Sequence, residues 1–382
     1  MKSSISNYSK ENFMRRAIEL ALQGEGFVHP NPMVGAVIVR DNKILAEGYH
    51  HNYGNLHAER DALKNAAEQN ISVEGAELFV TLEPCCHHGK QPPCTQAIID
   101  AKIKKVYIGS RDPNPLVNGK GVQILKDAGI EVVQDFLKEE CDSINKIFFH
   151  YIKYKTPYVI LKYAMTLDGQ TATYTKDSKW ISGNSSRTNV HKTRANVSAV
   201  LTGIQTALAD DPMLNCRLED GKKHFNPVRI VLDSSVQLKK DSALVRTAKE
   251  IPVIDVCAEK LSSEESERMT ELKNLGVEFL QIECCEGKLD LEKLLVLLGE
   301  RGIDSILVES GGFLNASFLF QKKNPLVNEI HVYLAPKFFG NDGTSIFNPV
   351  RGLGVELAKD ALTLKKPEIE FFDDDILLKY EV

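Results

Sequence analysis

Apolar positions along this chain alternate between a helical rhythm and short unbroken runs, and the alternation itself predicts the fold class. Residues 11–22 read as a helix. They lead into an apolar strand over 34–40, which Asp41-Asn42-Lys43 turns back into 44–47 as a hairpin. Further on, 57–69 reads as a helix, 78–82 as a buried strand, 95–101 as a short helix and 106–108 as another strand. Residues 121–128 and 136–149 read as helices with a strand at 131–133 between them. The pattern implies a central sheet flanked by helices, a three-layer α/β/α arrangement.

A polar stretch over 151–157 then precedes fresh strand-like sequence at 158–163. Beyond it, 228–232, 252–256, 306–309 and 330–334 are β-rich, and helices are expected near 186–196, 264–275 and 289–298. The chain has 382 residues, more than one core usually serves, and no internal repeat or low-complexity tract. Two α/β domains are therefore expected, 1–150 and 151–382.

Composition narrows the partners. At 43% apolar and 26% charged the chain is ordinary for a globular protein. A net charge of −5 supplies no excess cation for phosphodiester backbones or anionic lipid, so no nucleic acid partner is expected. The longest apolar runs, 34–39 and 294–298, are too short to cross a bilayer, which predicts no membrane partner and a cytoplasmic protein. Eight cysteines are too sparse for a secreted disulfide framework, so a tight Cys/His group reads better as metal-binding or catalytic. Cys141, Cys216, Cys257, Cys284 and Cys285 stand apart from any such group.

That group lies in His57-Ala58-Glu59 and in Pro84-Cys85-Cys86-His87-His88-Gly89-Lys90-Gln91-Pro92-Pro93-Cys94. Catalytic zinc takes three protein ligands and keeps one position open. One imidazole and two thiolates, His57, Cys85 and Cys94, meet that count. Glu59 is placed to carry a proton without being a ligand. Residues two apart point in different directions on a helix, so His57 and Glu59 share a site only over the helix N-terminal end. Cys94 follows two prolines and opens a helix, where the dipole favours thiolate. A closed structural site would need a fourth ligand, which Cys86, His87 or His88 could supply. The choice between Cys85 and Cys86 stays open, with Cys85 favoured because it follows Pro84.

The second domain is less explicit. Ile306-Leu307-Val308-Glu309-Ser310-Gly311-Gly312 is a strand ending in a glycine pair before a helical stretch at 313–320, a turn able to hold a phosphate. The G-x-G-x-x-G fingerprint of dinucleotide-binding sheets is absent, so a cofactor domain here has another fold. Asp168-Gly169 reads as a hairpin turn.

The His-x-Glu and Pro-Cys pieces resemble the signature of nucleobase zinc deaminases, except that eight residues, not two, separate the cysteines. With Asn31-Pro32-Met33-Val34-Gly35, Gly48-Tyr49-His50 and Arg111-Asp112-Pro113-Asn114-Pro115, the wide form resembles the deaminase domain of the bifunctional riboflavin-biosynthesis deaminase/reductases. Ala164-Met165-Thr166-Leu167-Asp168-Gly169, Asp177-Ser178-Lys179-Trp180-Ile181-Ser182, Leu208-Ala209-Asp210-Asp211-Pro212 and Val231-Leu232-Asp233 resemble its reductase half. The resemblance implies a cytidine-deaminase-like first domain and a dihydrofolate-reductase-like second domain using NADPH. It implies that Asn31, His50, His87 and Lys90 hold a phosphorylated pyrimidine in the first. In the second, Ala164, Trp180, Thr206, Asp210, Ser234, Gly311 and Gly312 would touch NADPH, and Ser178, Arg194, Leu214, Arg217 and Glu309 the substrate. A homo-oligomer is expected. Two rivals stand beside this reading: a deaminase of another nucleobase substrate, including bases in nucleic acid, and a non-catalytic zinc protein with a degenerate second domain. The acidic charge and lone tryptophan, Trp180, argue against a nucleic-acid substrate, and Glu59 against a structural metal site.

Overall fold

The computed structural model describes residues 9–87, 91–114, 117–285, 287–320, 324–343 and 347–382. The chain divides into two compact units, Met1–Lys155 and Thr156–Val382.

In the first unit α1 (Lys10–Ala21) precedes strands β1 (Gly35–Arg40) and β2 (Lys43–Tyr49). There follow α2 (Ala58–Glu68), β3 (Glu77–Leu82), α3 (Cys94–Asp100), β4 (Lys105–Ser110), α4 (Lys120–Asp127), β5 (Glu131–Val133), α5 (Lys138–Ser143) and α6 (Lys146–Tyr154). Asp41 and Asn42 both adopt positive φ, 53° and 55°, as a two-residue hairpin loop requires. The sheet order is β2-β1-β3-β4-β5, antiparallel at the hairpin end and parallel from β3 onward. Side chains alternate across it. Ala36, Ile38, Leu78, Val80, Val106 and Ile108 pack with Ala58, Ala62, Ile98 and Leu125, while Val37, Val39, Phe79 and Tyr107 pack with Phe13, Met14, Ala17 and Cys141. Three layers result, as the pattern predicts.

The layer carrying α2 sits close because β2 offers it a glycine. A Cβ on Gly48 would lie 2.2 Å from the Ala62 nitrogen and 2.7 Å from the Ala58 oxygen. The backbone of the helix therefore rests directly on the strand.

Two sequence expectations change here. The single helix over 136–149 is broken into α5 and α6 at Asn145, whose non-helical backbone (φ −124°) directs its side chain to Met33. Met33 N–H donates to Asn145 Oδ1 and Asn145 Nδ2 donates to the Met33 carbonyl, both at 2.8 Å. The polar stretch at 151–157 instead begins as the last turn of α6, because Tyr151 and Ile152 join Phe148 in lining a cavity.

The second unit runs β6 (Tyr158–Thr166), α7 (Asn184–Ala195), β7 (Ala199–Gly203), α8 (Ile204–Asp210), β8 (Val228–Leu232), α9 (Ala243–Arg246), β9 (Val253–Ala258), α10 (Ser263–Asn274) and β10 (Glu278–Ile282). It continues with β11 (Cys284–Cys285), β12 (Lys288–Leu289), α11 (Leu291–Glu300), β13 (Ser305–Glu309), α12 (Gly312–Phe320), β14 (Glu329–Ala335), β15 (Glu368–Phe372) and β16 (Asp375–Glu381). Nine strands form one sheet in the order β10-β9-β8-β7-β13-β6-β14-β16-β15, parallel except at the β14-β16-β15 end. The Asp168-Gly169 turn forms, with Gly169 at φ 75°, but it is no hairpin: both neighbours of β6 run parallel to it.

Candidate metal centre and second-unit cleft

His57 is the N-cap of α2, with extended backbone (φ −72°, ψ 158°), so its ring swings off the helix end while Glu59 occupies the first turn. Cys94 is the first residue of α3 and Cys85 lies just beyond β3. These elements converge. Nδ1 of His57 lies 3.4 Å from Sγ of Cys85 and 3.4 Å from Sγ of Cys94. Among the described residues they form the one group of three or more His, Cys, Asp or Glu donors close enough to share a metal.

The donor set fits zinc. Around a tetrahedral ion with Zn–S near 2.3 Å and Zn–N near 2.0 Å, nitrogen and sulfur ligands sit roughly 3.5 Å apart, close to the separation found here. Cys86 is outside the group, and burial pushes its thiol up. A hydrogen bond with Cys94, aided by His57, pulls the Cys85 thiol down to about 4, and Cys85 in turn raises the His57 imidazole. Glu59 is buried (3% exposed) and burial raises its carboxyl, so it takes up a proton more readily than an exposed glutamate.

A cavity of about 330 Å³ opens in front of these donors, lined by Asn31, His50, His87, Asp112, Asn114 and the aromatic rings of Tyr53, Phe148 and Tyr151, among others. His50 contacts the Leu56 carbonyl through Nδ1 at 2.9 Å, which assigns the proton to Nδ1 and leaves Nε2 to accept from Asn31 Nδ2 at 3.1 Å. Burial holds His50 neutral by lowering its pKa. His87 buries Nδ1 with no hydrogen-bond partner among the described residues. Lys90 lies outside the described residues. Asp112 lines the same cavity and is a site residue beyond those expected from the sequence. Burial lifts its carboxyl to about 6, and its place in the Arg111–Pro115 motif was the available signal.

In the second unit β8, β7, β13 and β6 are neighbours and parallel, so their carboxyl ends lie side by side, the usual place for a ligand in such sheets. Those ends carry Ser234, the start of α8 with Thr206, the Glu309-to-Gly312 turn, and Ala164 near the end of β6; Asp210 is the last residue of α8. A Cβ on Gly311 would come within 3.5 Å of Thr206 Oγ1, an ordinary contact distance, so the turn and α8 face each other. Burial raises the Asp210 carboxyl, with Lys179 opposing, which brings Lys179, and with it the chain between Ser178 and Trp180, toward α8. Trp180 is 62% exposed, with the Arg187 guanidinium 4.5 Å above its ring.

Glu309 is largely shielded from solvent, with its side chain 11% exposed, and accepts from Arg194 Nε at 2.6 Å and Nη2 at 3.1 Å, and from Lys162 Nζ at 3.5 Å. Burial alone would raise this carboxyl, but the two cations outweigh it and hold it at about 2. Arg194 Nη1 donates to the Asn215 carbonyl, which ties α7 to the segment carrying Leu214 and Arg217. Lys162 was not anticipated, although a lysine inside the apolar run of β6 was a signal. Burial, then Arg194 and Arg217, lower His191 to about 4.

Comparison with known proteins matches both units. Residues 7–110 match the cytidine and deoxycytidylate deaminase zinc-binding region, and residues 157–378 the RibD C-terminal domain. The chain is 46% identical over 380 residues to riboflavin biosynthesis protein RibD of Actinobacillus pleuropneumoniae, covering all of this chain and 97% of that one. Against the RibD of Escherichia coli K12 it is 37% identical, covering 96% and 98%. Among solved structures, the diaminohydroxyphosphoribosylaminopyrimidine deaminase/5-amino-6-(5-phosphoribosylamino)uracil reductase of Thermotoga maritima superposes with a TM-score of 0.83 at 39% identity, covering 97% and 98%. Acinetobacter baumannii RibD gives 0.84 at 37% identity, covering 97% of each chain. Among the described residues no helix is long and apolar enough to cross a membrane.

Proposed function

The chain belongs to the RibD family of bifunctional riboflavin-biosynthesis enzymes, and from that premise we propose how its residues divide two successive reactions on one phosphorylated pyrimidine. The first domain, 1–150, hydrolyses the 2-amino group of 2,5-diamino-6-ribosylamino-4(3H)-pyrimidinone 5′-phosphate. The second, 151–382, reduces the ribosyl chain with NADPH, giving 5-amino-6-ribitylamino-uracil 5′-phosphate. The observation that carries this reading is the convergence of one imidazole and two thiols at zinc-ligand spacing with a buried carboxylate beside them.

In the first domain His57, Cys85 and Cys94 hold the metal. A zinc ion bound there would supply, as an acidified water, the nucleophile at neutral pH. Glu59 takes up the proton released and returns it to the departing amine, a task its burial suits. Neutral His50 and Asn31, fixed by their mutual hydrogen bond, orient the ring, and His87 and Asp112 offer further polar contacts in the same cavity. Tyr53, Phe148 and Tyr151 supply apolar area that keeps bulk water off it. Lys90 supplies a compact positive charge for the phosphate.

In the second domain the glycine turn, Thr206, Asp210, Ser234, Ala164 and Trp180 hold NADPH, which supplies the hydride. Ser178, Leu214, Arg217 and Glu309 bind the sugar side. Arg194 has its Nε and Nη2 donors committed to Glu309, so it acts as the positioner of that carboxylate while Arg217 meets the phosphate. The same reading carries a cytoplasmic location and a homo-oligomeric state, the latter checked by light scattering on the purified chain.

The test is an incubation with the diaminopyrimidine phosphate, with and without NADPH, in which ammonia and cofactor absorbance are followed separately. Ammonia is expected without NADPH, and NADPH oxidation only after ammonia appears. Oxidation that precedes deamination would contradict the order.

A further inference from the structure

Eight residues separate Cys85 from Cys94 in the sequence, and Cys94 Sγ lies 3.4 Å from His57 Nδ1. Two side chains grip the returning limb. Gln91 Nε2 donates to the Gly54 carbonyl at 3.3 Å. Arg60 donates from Nε to the Pro92 carbonyl and from Nη2 to the Pro93 carbonyl, both at 3.1 Å. Neither proline has an N–H, so those carbonyls are the only backbone hydrogen-bonding groups of the dipeptide. Pro93 is the N-cap of α3 and offers no side-chain cap.

Arg60 stands on α2, three residues past the His57 N-cap and next to Glu59. One rigid helix thus presents the imidazole, the proton carrier and the fork that grips the limb carrying the second thiolate. We infer that Arg60 is a positioning residue of the metal centre: its planar guanidinium fixes the Pro92-Pro93 turn so that Cys94 is delivered to the site already in ligand geometry. A closer pair of cysteines would leave little chain to order. A longer intervening segment costs more entropy to close, and a preorganised two-bond fork lowers that cost. The inference rests on the metal-site reading proposed above.

The experiment uses the full chain loaded with zinc, or with cobalt(II) in its place, and two variants. Arg60→Met keeps the apolar stem and removes the fork, and Arg60→Lys keeps a charge with a single donor group. Zinc release to a chromophoric chelator is timed well below the unfolding transition, and the cobalt–thiolate absorption is recorded. Supporting ligands of this kind change metal affinity by about 10–100-fold, so Arg60→Met is expected to release zinc at least about tenfold faster, with a weakened thiolate band. Arg60→Lys is expected to fall between it and the parent. A purely structural role would lower the melting temperature and leave the release rate and cobalt spectrum unchanged. Release within about twofold of the parent for both variants, with the parent spectrum, overturns the inference. If Arg60→Met does not fold, Arg60→Lys decides alone, and a rate equal to the parent's overturns it. A parent chain that holds no zinc would instead defeat the underlying metal-site reading.

Discussion

Arg194 reaches Glu309 with two parallel bonds, Nε to Oε1 at 2.6 Å and Nη2 to Oε2 at 3.1 Å, in a setting where each side chain is only 11% exposed. With Lys162 as a second cation, the buried carboxylate is the charge on which this cluster balances.

Glu309→Gln leaves both cations without that partner, which should lower stability by about 3–5 kcal/mol and abolish NADPH oxidation while sparing ammonia release. The acid limb carries a signature of its own. The folded carboxyl titrates at about 2 against an ordinary 4.5, so its contribution is complete above pH 4.5 and is lost as pH falls from there toward 2. Over that window urea unfolding of the parent should lose roughly 3 kcal/mol more than the variant. Parallel pH curves would contradict the ion pair.

Cys85→Ser should abolish zinc binding, whereas Cys86→Ser should leave one zinc per chain, measured by elemental analysis. Cys86 lies outside the donor group although it is adjacent in sequence.

Gly48→Ala should be unfavourable by about 1–3 kcal/mol and depress ammonia release, because its methyl would press α2, with His57 and Glu59, off the sheet. Gly75→Ala is the comparison: its φ of 74° makes alanine strained, but no atom lies within 4 Å, and α2 should stay in place. Thermal melts and ammonia assays of the two variants separate crowding from strain.

The parts of the site that the sequence displayed are those whose chemistry is local. His57 and Glu59 are two residues apart at a helix start, and the glycine pair after β13 announces its own turn. Cys94 was readable because its prolines and helix fix where its sulfur sits. What the sequence withheld depends on distant partners. Asn145 breaks a predicted helix only because Met33 is across from it. Lys162 and Asp112 gain meaning from burial beside Glu309 and in the cavity, which no spacing encodes. Strands β7, β10, β15 and β16 escaped notice because sheet pairing, more than local preference, holds short segments extended.

Removing the metal with a chelator should stop ammonia release, and restoring zinc should recover it. NADPH oxidation with the deaminated pyrimidine as substrate should continue throughout. Loss of both activities on chelation would mean that the two chemistries are not separately housed.

The most direct test of the account is Glu59→Gln, assayed for bound zinc and for ammonia release on the same preparation. A proton carrier contributes about 10²–10⁴-fold to such a reaction, so the variant should keep one zinc per chain and release ammonia at least about a hundredfold more slowly. A variant that keeps its zinc and deaminates the pyrimidine at the parent rate would contradict the role given to Glu59 and, with it, the mechanism of the first domain.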